Sequence, residues 1–535
     1  MESILLLLAI ILVGLSLVRS LFGRKHPLGP LPPGPHRKPI IGNLTDLPSH
    51  DVRDWEYWLT HKDLYGSHLV YRTEYLPPQG NTNIELGPIS SLSILGDNIV
   101  ILNDARYARE ILEKRSSIWS SRPSWNFGKM AGWDKILGTL EYSNPSFKDM
   151  RKALGHQIGS KSAVSRFNAV QDREVRRFLL RVLEDPDNLL QHIRKEAGAI
   201  VLKVAYGYTI EPHGHDPLVD LADEAMATFG LAILPGTWAV DFIPILKHVP
   251  TWFPGARFAR MAKQFRKHVA AFSDVPYAFV KRKLAQQDFE PSFLAGLLQK
   301  NANQLGPGSY EETVIKWAAA SFYGGGSDTT VSTMSSFFLV MALFPEVQRK
   351  AQAEIDRVVG SDRLPSFQDR ENLPYIDAMV KEILRWHPVL PMGTAHASVK
   401  DDMAFTHDPN TYPDPHSFKP ERFLSDEGHD PEANPYYLVF GFGRRVCPGR
   451  TLADANLYIS IAQSVAAFTI TKPTRDGKEI DLRTEYQAGA ISHPVPYHVT
   501  IQPRNPRYEE LIRAVETDHP WEKSHSEELK DLTLV

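Results

Sequence analysis

The residues best suited to chemistry lie between Phe440 and Arg450, in the segment F-G-F-G-R-R-V-C-P-G-R. This segment contains Cys447, the only cysteine among the 535 residues of the chain. Glycine, which occurs on both sides of it, is used where the backbone turns sharply or approaches another group closely. A lone cysteine beside arginines is suited to be a thiolate, and an unpaired thiolate can bind a metal ion from one side. A single cysteine is more often an inert buried side chain, so its neighbours have to decide between these interpretations.

A second pair of reactive groups lies in a long apolar stretch from Glu312 to Phe344, which predicts a helix ended by Pro345. Residues 324–330 of this stretch read G-G-G-S-D-T-T. Glycine inside a helix costs about 1 kcal/mol relative to alanine, so three in succession predict a local opening or the close approach of a ligand. The acid and the hydroxyl that follow, Asp328 and Thr329, could deliver protons. Taken alone, the same residues also fit a kinked helix with a packed Ser/Thr face.

Mostly helical segments have to position these groups. Alternation and β-branched residues within 68–102 predict the strands of a small sheet. Further helices are predicted from Asp104 to Lys114, with Asp104 as its cap, and from Thr451 to Phe468. Glu382 and Arg385 share one face of a helix predicted from 377 to 386, although most pairs of this kind are solvated and contribute little.

Together these segments resemble the cytochrome P-450 family of haem-thiolate monooxygenases. Residues 440–449 fit F-x-x-G-x-R-x-C-x-G, which resembles the haem-binding loop of that family, and Gly325 begins a match to Ala/Gly-Gly-x-Asp/Glu-Thr-Thr/Ser. The resemblance spans residues 25–505 and implies a mainly α fold, a large helical body with small β-sheets. It identifies Cys447 as the iron ligand of haem b, held in a loop that includes Phe440, Gly441 and Gly449.

The resemblance also implies the partners of the haem propionates, namely Arg445, Arg151 and His396. The family usually has W-x-x-x-R where this chain has Phe147 and Arg151. Phenylalanine keeps the packing of the ring but lacks the indole N–H donor, so only Arg151 carries over. On the residues alone, a solvated basic helix face explains Arg151 equally well.

In the same way, Glu382 and Arg385 match the E-x-x-R pair of the family. There the pair joins an arginine of a P-E-R-F segment, which is Arg422 in this chain. The implied role of these three residues is structural, to hold the segment that carries Cys447.

The chain departs from the family pattern after Asp402. The usual D-D-x-Y-x-G-Y-x-I-P-K-G and two strands do not follow, because Met403 leads directly into A-F-T-H-D-P. Those strands normally complete the small sheet beside the haem pocket. Either this member is trimmed, or the sequence derives from a gene model that skipped an exon. Because these strands are missing, an inactive haem protein is an alternative to an active enzyme.

The N-terminus predicts a membrane anchor. Residues 4–18 are almost continuously apolar, and residues 1–23 are expected to form a single transmembrane helix with some tilt. A cleaved signal peptide is the alternative, but no positive region precedes the run and no Ala-x-Ala-like site follows it. The positive residues Arg19, Arg24 and Lys25 predict a cytosolic body. We therefore expect a single-pass protein of the endoplasmic reticulum membrane.

Four parts follow from this pattern. After the anchor, residues 24–40 are rich in proline and predict a stiff hinge, residues 41–505 are the expected haem domain, and residues 506–535 form a polar tail. Residues 240–255 are apolar, aromatic and broken by prolines. They fit either a buried loop or a surface that enters the membrane beside the anchor.

The composition limits the partners. A net charge of −3 gives no indication of nucleic-acid binding, and one cysteine excludes a disulfide within the chain. The chain contains no recognisable flavin or nicotinamide domain, so the resemblance implies electrons from an NADPH–cytochrome P-450 reductase. An acidic reductase could meet the basic residues expected on the proximal side, which are Lys148, Lys152, Arg444 and Arg450.

The expected reaction inserts one oxygen atom from O2 into an apolar small molecule, such as a secondary metabolite, a terpenoid, or an aromatic or xenobiotic compound. The residues expected to line its pocket are Trp125, Phe127, Phe322, Val389, Leu390 and Ile491. A haem-thiolate isomerase or dehydratase is the alternative activity, although the intact Asp328–Thr329 pair favours the monooxygenase.

Overall fold

Helices make up most of the structure, as the resemblance implies. The computed structural model describes Gly14 and residues 31–39, 41–48, 52–65, 89–234, 236–396, 405–425 and 430–532. In the N-terminal half of these ranges the α-helices are α1 (Asp54–Tyr65), α2 (Ala105–Ala108), α3 (Ser116–Trp119), α4 (Asn126–Ala131), α5 (Pro145–Ile158), α6 (Lys161–Ser165), α7 (Asn168–Glu184), α8 (Leu189–Tyr206), α9 (Pro217–Ile233), α10 (Ala239–Phe242) and α11 (Arg257–Ala285). In the C-terminal half they are α12 (Phe293–Lys300), α13 (Tyr310–Ser327), α14 (Thr329–Leu343), α15 (Pro345–Val358), α16 (Pro374–Trp386), α17 (Tyr436–Val439), α18 (Arg450–Ala467), α19 (Pro506–Arg513) and α20 (Val515–Asp518).

The strands form three antiparallel pairs within the described ranges. They are β1 (Ile89–Ile94), β2 (Asp97–Leu102), β3 (Phe468–Thr471), β4 (Thr474–Arg475), β5 (Lys478–Glu479) and β6 (Thr500–Pro503). Strand β1 pairs with β2, β3 with β6, and β4 with β5. The predicted strands within 68–102 are therefore found at 89–94 and 97–102, whereas residues 66–88 lie outside the described residues.

The long apolar helix is two helices that meet at Asp328. Ser309 caps the start of α13 by accepting a hydrogen bond from the backbone of Glu312. Asp328 separates α13 from α14, with φ −108° and ψ −36°. The predicted opening beside the three glycines is thus present as a break in the helix. Helix α14 is buried along almost its whole length and forms the centre of the body.

The described residues that surround this axis are packed helices. Helix α8 contacts α13 and α14 on one side and α7 on the other, while α18 packs on α7 and α16. Helix α16 begins with Pro374 at its first turn and buries a stripe of apolar residues, and its end at Trp386 agrees with the prediction. Helix α18 runs from Arg450 to Ala467, one residue from each predicted end.

Two segments differ from their predicted form. Asp104 accepts a hydrogen bond from the backbone of Arg106, as a helix cap does, but the helix changes to π geometry from Arg109 to Lys114. The polar tail is docked on the body, since Trp521 lies 4.9 Å from the Arg177 guanidinium and the buried Leu529 joins the core. The described part of the tail therefore belongs to the same packed unit as the helices before it.

The expected anchor, residues 1–23, lies outside the described residues except for Gly14. Residues 24–30 of the expected hinge also lie outside them. Within the described ranges, no single helix has the length and apolar character needed to cross a membrane. One pair of consecutive helical segments, Tyr310–Leu343 and Pro345–Val358, meets those criteria of length and composition when the two are taken together. The two segments are bent by 102° relative to each other.

Candidate active site

The loop that carries Cys447 is closed by its own backbone. The N–H of Cys447 donates to the carbonyl of Phe440 over 2.8 Å. Gly443 has a φ of +53°, and a Cβ there would lie 2.4 Å from the carbonyl oxygen of Leu112. Only glycine permits this close approach to the segment before α3. The backbone of Gly441 is also left-handed, with a φ of +79°.

Backbone N–H groups face the Cys447 sulfur. Burial raises the pKa of the thiol, while the N–H groups of Gly449 and Arg450 and the positive charge of Arg151 favour the thiolate. A Cβ on Gly449 would lie 3.9 Å from the sulfur, so the start of α18 comes close to it. A metal ion bound to a thiol deprotonates it, and the N–H groups then hydrogen-bond and tune the thiolate.

The loop forms one wall of a cavity of about 370 Å³ that is partly open to solvent. Small-molecule pockets in proteins measure about 300–1,000 Å³, so this cavity has the size of a small-molecule site. Cys447, Phe440, Gly441 and Gly449 line it on one side. The end of α13 and the start of α14, including Thr329, line it as well. The cavity therefore joins the two segments that the sequence singled out.

Three arginines line the same cavity, and none of its lining residues within the described ranges is an aspartate or a glutamate. Arg151 donates to the carbonyl of Val446 over 2.9 Å. Arg445 donates through Nε to the carbonyl of Ser120 and through Nη2 to that of Leu140, each over 2.7 Å. These acceptors are neutral carbonyls, so the positive charges are not balanced by a neighbouring acid of the lining.

Arg122 is the third of these arginines, and the sequence reasoning missed it. Its guanidinium donates to the carbonyls of Gly138, Thr394 and Ala395. Burial, together with the charge of Arg445, lowers its pKa to about 9. No local pattern marked this residue, because its carbonyl partners lie up to 273 positions away along the chain.

These arginines fit the haem that the resemblance implies. Burial lowers the pKa of Arg445 to about 10, with a further contribution from the charge of Arg151. Its buried Nη1 has no hydrogen-bond partner in the structure, which is costly for a charged donor. A carboxylate satisfies such a donor and also stabilises clustered positive charges. A cofactor with two propionate groups and an iron atom therefore suits a cavity that has three arginines and a thiol in its wall.

The other residues expected near the propionates also line the cavity. His396 Nδ1 lies 2.6 Å from the carbonyl oxygen of Trp119. The Phe147 ring packs against the Arg445 guanidinium, with 3.9 Å between the guanidinium carbon and the ring centre. Phenylalanine at this position thus keeps the packing role through a cation–π contact.

At the helix break, the acid and the hydroxyl lie in different surroundings. The Thr329 hydroxyl donates to the carbonyl of Gly325 over 2.6 Å and borders the cavity. A Cβ on Gly325 would meet nothing within 4 Å, whereas one on Gly326 would lie 2.7 Å from Val201. Asp328 is outside the cavity lining, and its Oδ1 lies 3.1 Å from His493 Nε2.

The three residues of the implied ionic triad are in contact and buried. Arg385 donates to both carboxylate oxygens of Glu382, over 2.7 and 2.9 Å, and Arg422 Nε donates over 3.1 Å. Both arginines also donate to the carbonyl of Ser417. The side chains of Glu382 and Arg385 are 0% exposed, so the pair belongs to the interior and is not a solvated helix pair.

The predicted pocket residues divide into two groups. Phe322, Val389, Leu390 and Ile491 line the cavity that Cys447 borders. Trp125 and Phe127 do not, and their assignment to the substrate pocket was wrong. Phe127 is fully buried and stacks on Trp238 at 3.6 Å, while Trp125 borders a separate cleft near α4. These aromatic residues, at the start of the short helix α4, lie where that helix packs against α10 and α11.

Among the residues that the structure describes, no group of three or more His, Cys, Asp or Glu side chains could hold a metal ion. Cys447 is the single free cysteine. A metal at this cavity would therefore need its other ligands from a cofactor such as a porphyrin.

Comparison with known proteins agrees with these features. The sequence model of the family described as Cytochrome P450 matches residues 32–405 and 402–501. The two matched segments meet at 402–405, where we expect strands to be missing. The residues from 397 to 404 lie outside the described ranges.

Three curated relatives cover nearly the whole chain. Cytochrome P450 monooxygenase ppsD of Aspergillus oryzae is 45% identical over 99% of this chain and 100% of its own length. O-methylsterigmatocystin oxidoreductase of Aspergillus flavus is 42% identical over 97% and 96%. Cytochrome P450 monooxygenase CLM2 of Gibberella zeae is 41% identical over 99% and 100%. The alignment with ppsD spans 550 positions, so gaps must fall opposite some residues of that relative.

Proposed function

This chain belongs to the cytochrome P-450 family and is a monooxygenase, and from that premise we propose that its cavity would hold haem b, with the Cys447 thiolate as the protein ligand of the iron. The observation that carries this proposal is the single cysteine in the wall of a cavity that is also lined by three arginines, two of them buried, and by no acid among the residues that the structure describes. Arg445, Arg122 and Arg151, with His396, would hold the propionates.

When bound, a thiolate-ligated haem supplies the activation of dioxygen, and the thiolate favours cleavage of the O–O bond. The protein contributes the positioning of this group and the movement of protons. The N–H groups of Gly449 and Arg450 stabilise the negative charge on sulfur. At the helix break, the Asp328 carboxylate takes a proton from solvent and the Thr329 hydroxyl delivers protons into the cavity. The 17% exposure of the Asp328 side chain supports its role at the solvent side.

We expect the substrate to be an apolar secondary metabolite, of terpenoid or aromatic type, or a xenobiotic. Most of the cavity wall around α13 is apolar, and it includes Phe322, Met226, Phe229 and Ile491. An apolar wall with few polar groups binds ligands mainly through burial of their apolar surface. The name of the A. flavus relative makes O-methylsterigmatocystin a first compound to test for binding.

The electron donor in this proposal is an NADPH–cytochrome P-450 reductase. Four basic side chains are exposed near the loop and on α5, and they are Lys148, Lys152, Arg444 and Arg450. Positive charge on this face favours the approach of an acidic partner and raises its association rate.

The proposed location is the endoplasmic reticulum membrane, with the haem domain (41–505) in the cytosol, a single anchor at residues 1–23 and a hinge at 24–40. The segment 240–255 supports a surface beside the membrane. Trp252 is 78% exposed and Ile245 is 55% exposed. Large apolar side chains at the surface favour an interfacial position, where their rings and chains leave water.

A carbon-monoxide difference spectrum tests the central claim. Reduced wild-type protein should give the absorption band near 450 nm that defines a thiolate-bound haem, and Cys447→Ala should lose it. As a matched control, Ser120→Ala removes a small side chain behind Arg445 but should keep the band. Full haem binding and turnover by Cys447→Ala would contradict the proposal.

The reaction class is tested by the electron supply. A monooxygenase forms product only when NADPH, reductase and O2 are all present. When the reaction is run under ¹⁸O2, its product contains ¹⁸O. Product formation without NADPH would instead indicate an isomerase or dehydratase. Haem-loaded protein with no turnover of any apolar compound would agree with an enzyme made inactive by the shortening after Asp402.

A further inference from the structure

The contact between Asp328 and His493 joins two parts of the chain that are 165 positions apart. His493 Nε2 lies 3.1 Å from Asp328 Oδ1, and the two side chains are 22% and 17% exposed. The imidazole therefore reaches the carboxylate from the solvent side, while the neighbouring Thr329 borders the cavity. A protonated histidine that lies this close to a carboxylate attracts it and so restricts the direction in which the acid points.

The segment that carries His493 is itself held firmly on α14. The Ser332 hydroxyl donates to the carbonyl of Ser492 over 2.5 Å, and the Tyr486 hydroxyl donates to Ser336 over 3.2 Å. Asp328, Ser332 and Ser336 are spaced four residues apart and so share one face of the helix. Two successive turns of α14 and the junction before it therefore contact the segment 486–493.

Further backbone bonds make the position of His493 rigid. The carbonyl of His493 accepts from the N–H of Gln487 over 2.8 Å. The N–H of Ser492 donates to the carbonyl of Val389 over 2.9 Å, and Val389 lines the cavity. The same segment thus touches the substrate cavity through Ile491 and the acid through His493.

Two charged side chains of neighbouring helices, Asp223 and Arg194, affect the electrostatics of this contact. On α9, burial raises the pKa of Asp223 to about 6, and repulsion by Asp328 contributes to this. Arg194 of α8 lies 3.2 Å from Asp223 and neutralises it in part. A carboxylate at position 328 is therefore close to a second acid, and positive charge on His493 offsets the repulsion between the two acids.

We propose that His493 is a positioning residue for proton delivery, because its ring nitrogen lies 3.1 Å from the Asp328 carboxylate and holds it at the solvent end of the helix break. The carboxylate takes a proton from a water molecule, passes it on toward the Thr329 hydroxyl, and is thereby returned to its charged form. His493 itself is not consumed and needs only to keep this contact. This inference rests on the proposed role of Asp328 in proton delivery.

The experiment uses the full-length haem-loaded protein with NADPH–cytochrome P-450 reductase and no added substrate, so that it does not depend on an unidentified ligand. The rate of NADPH consumption is measured in H2O and in D2O. General acid–base groups contribute about 10²–10⁴-fold to a rate, and loss of a positioning bond should remove part of this. His493→Ala should slow NADPH consumption about tenfold and raise the solvent isotope effect.

The conservative variant separates positioning from a purely structural role. Glutamine can donate an N–H to Asp328, so His493→Gln should keep a rate within about twofold of the wild type, on the same reasoning. His498→Gln is the matched control, since His498 is exposed and lies five positions further along the chain, and it should change neither the rate nor the isotope effect. If His493→Gln is as slow as His493→Ala, the positioning role is wrong.

Asp328→Asn and the double variant distinguish a failure of this inference from a failure of the proposed role of Asp328. If Asp328→Asn does not slow NADPH consumption, the proposed role of Asp328 fails, and the inference fails with it. If Asp328→Asn is slow but His493→Ala is not, only the inference is overturned. Thermal unfolding gives a readout that needs no turnover: the Tm losses of Asp328→Asn and His493→Ala should be less than additive in the double variant. Additive losses would show that the two side chains do not interact in solution.

Discussion

Replacing Glu382 with glutamine should destabilise the protein strongly, although the change removes only a charge and one oxygen acceptor. Its carboxylate accepts four hydrogen bonds, from Nε and Nη2 of Arg385, from Nε of Arg422 and from the backbone of Lys419. The side chain is fully buried, and so is that of Arg385. Glu382→Gln therefore leaves the buried Arg385 guanidinium without a counter-charge, whereas Arg422 keeps its contact with Glu432 over 2.7 Å.

The expected magnitude follows from this burial. Removing one partner of a buried ion pair costs about 3–5 kcal/mol, a large part of a total stability of about 5–15 kcal/mol. The entropy of unfolding is about 2.1 cal/mol/K per residue, which corresponds to about 1 kcal/mol/K for a chain of this length. The Tm should therefore fall by about 3–5 °C, as measured by the loss of helical circular dichroism at a fixed heating rate.

A neighbouring glutamate provides the matched control. Glu421 lies in the same P-E-R-F segment as Arg422, and its carboxylate pairs with Lys350 at the surface, where it is 42% exposed. Such exposed pairs contribute about 0–1 kcal/mol, so Glu421→Gln should shift the Tm by no more than about 1 °C. If Glu382→Gln and Glu421→Gln have the same small effect, the triad does not hold the segment and our reasoning is refuted.

Two further predictions concern the cavity wall. Phe147→Trp adds an indole N–H donor beside Arg445 and should slow the transfer of haem to excess apomyoglobin; faster transfer from a folded variant would contradict this. Gly326→Ala should lower the Tm, because its Cβ would lie 2.7 Å from a valine methyl group and overpacking costs about 1–3 kcal/mol. Gly325→Ala is the control for this variant and should leave the Tm unchanged. It should also weaken the binding of bulky apolar compounds, as measured by optical titration.

The sequence by itself determined the parts of the site that depend on local backbone. The segment around Cys447 needs a left-handed glycine and a closed turn within a few residues. The residues that form this loop are therefore close together in the sequence and can be recognised as a motif. The same is true of the helix break, because three glycines followed by Asp328 and Thr329 weaken a helix wherever it packs. These two patterns were enough to predict the family, the cofactor and a mainly helical fold.

Residues whose partners lie far along the chain could not be assigned in this way. Arg122 reads as one arginine in an aromatic loop, and only the folded chain places it against Gly138 and Thr394. Phe127 was predicted to contact substrate, but packing against Trp238 removed it from the cavity. Apolar side chains in a loop minimise their contact with water, and the sequence does not say whether a ligand or another loop covers them.

Tertiary structure alone decided the surroundings of the acid at the helix break. The sequence places Asp328 next to Thr329, but it does not show that the two side chains face different surroundings. The break turns the hydroxyl toward the cavity and leaves the carboxylate at the solvent side, within 3.1 Å of His493. That contact exists because Ser332 and Ser336 hold the segment 486–493 on the same helix face. Local propensities set the break, whereas long-range packing selected the partner of the acid.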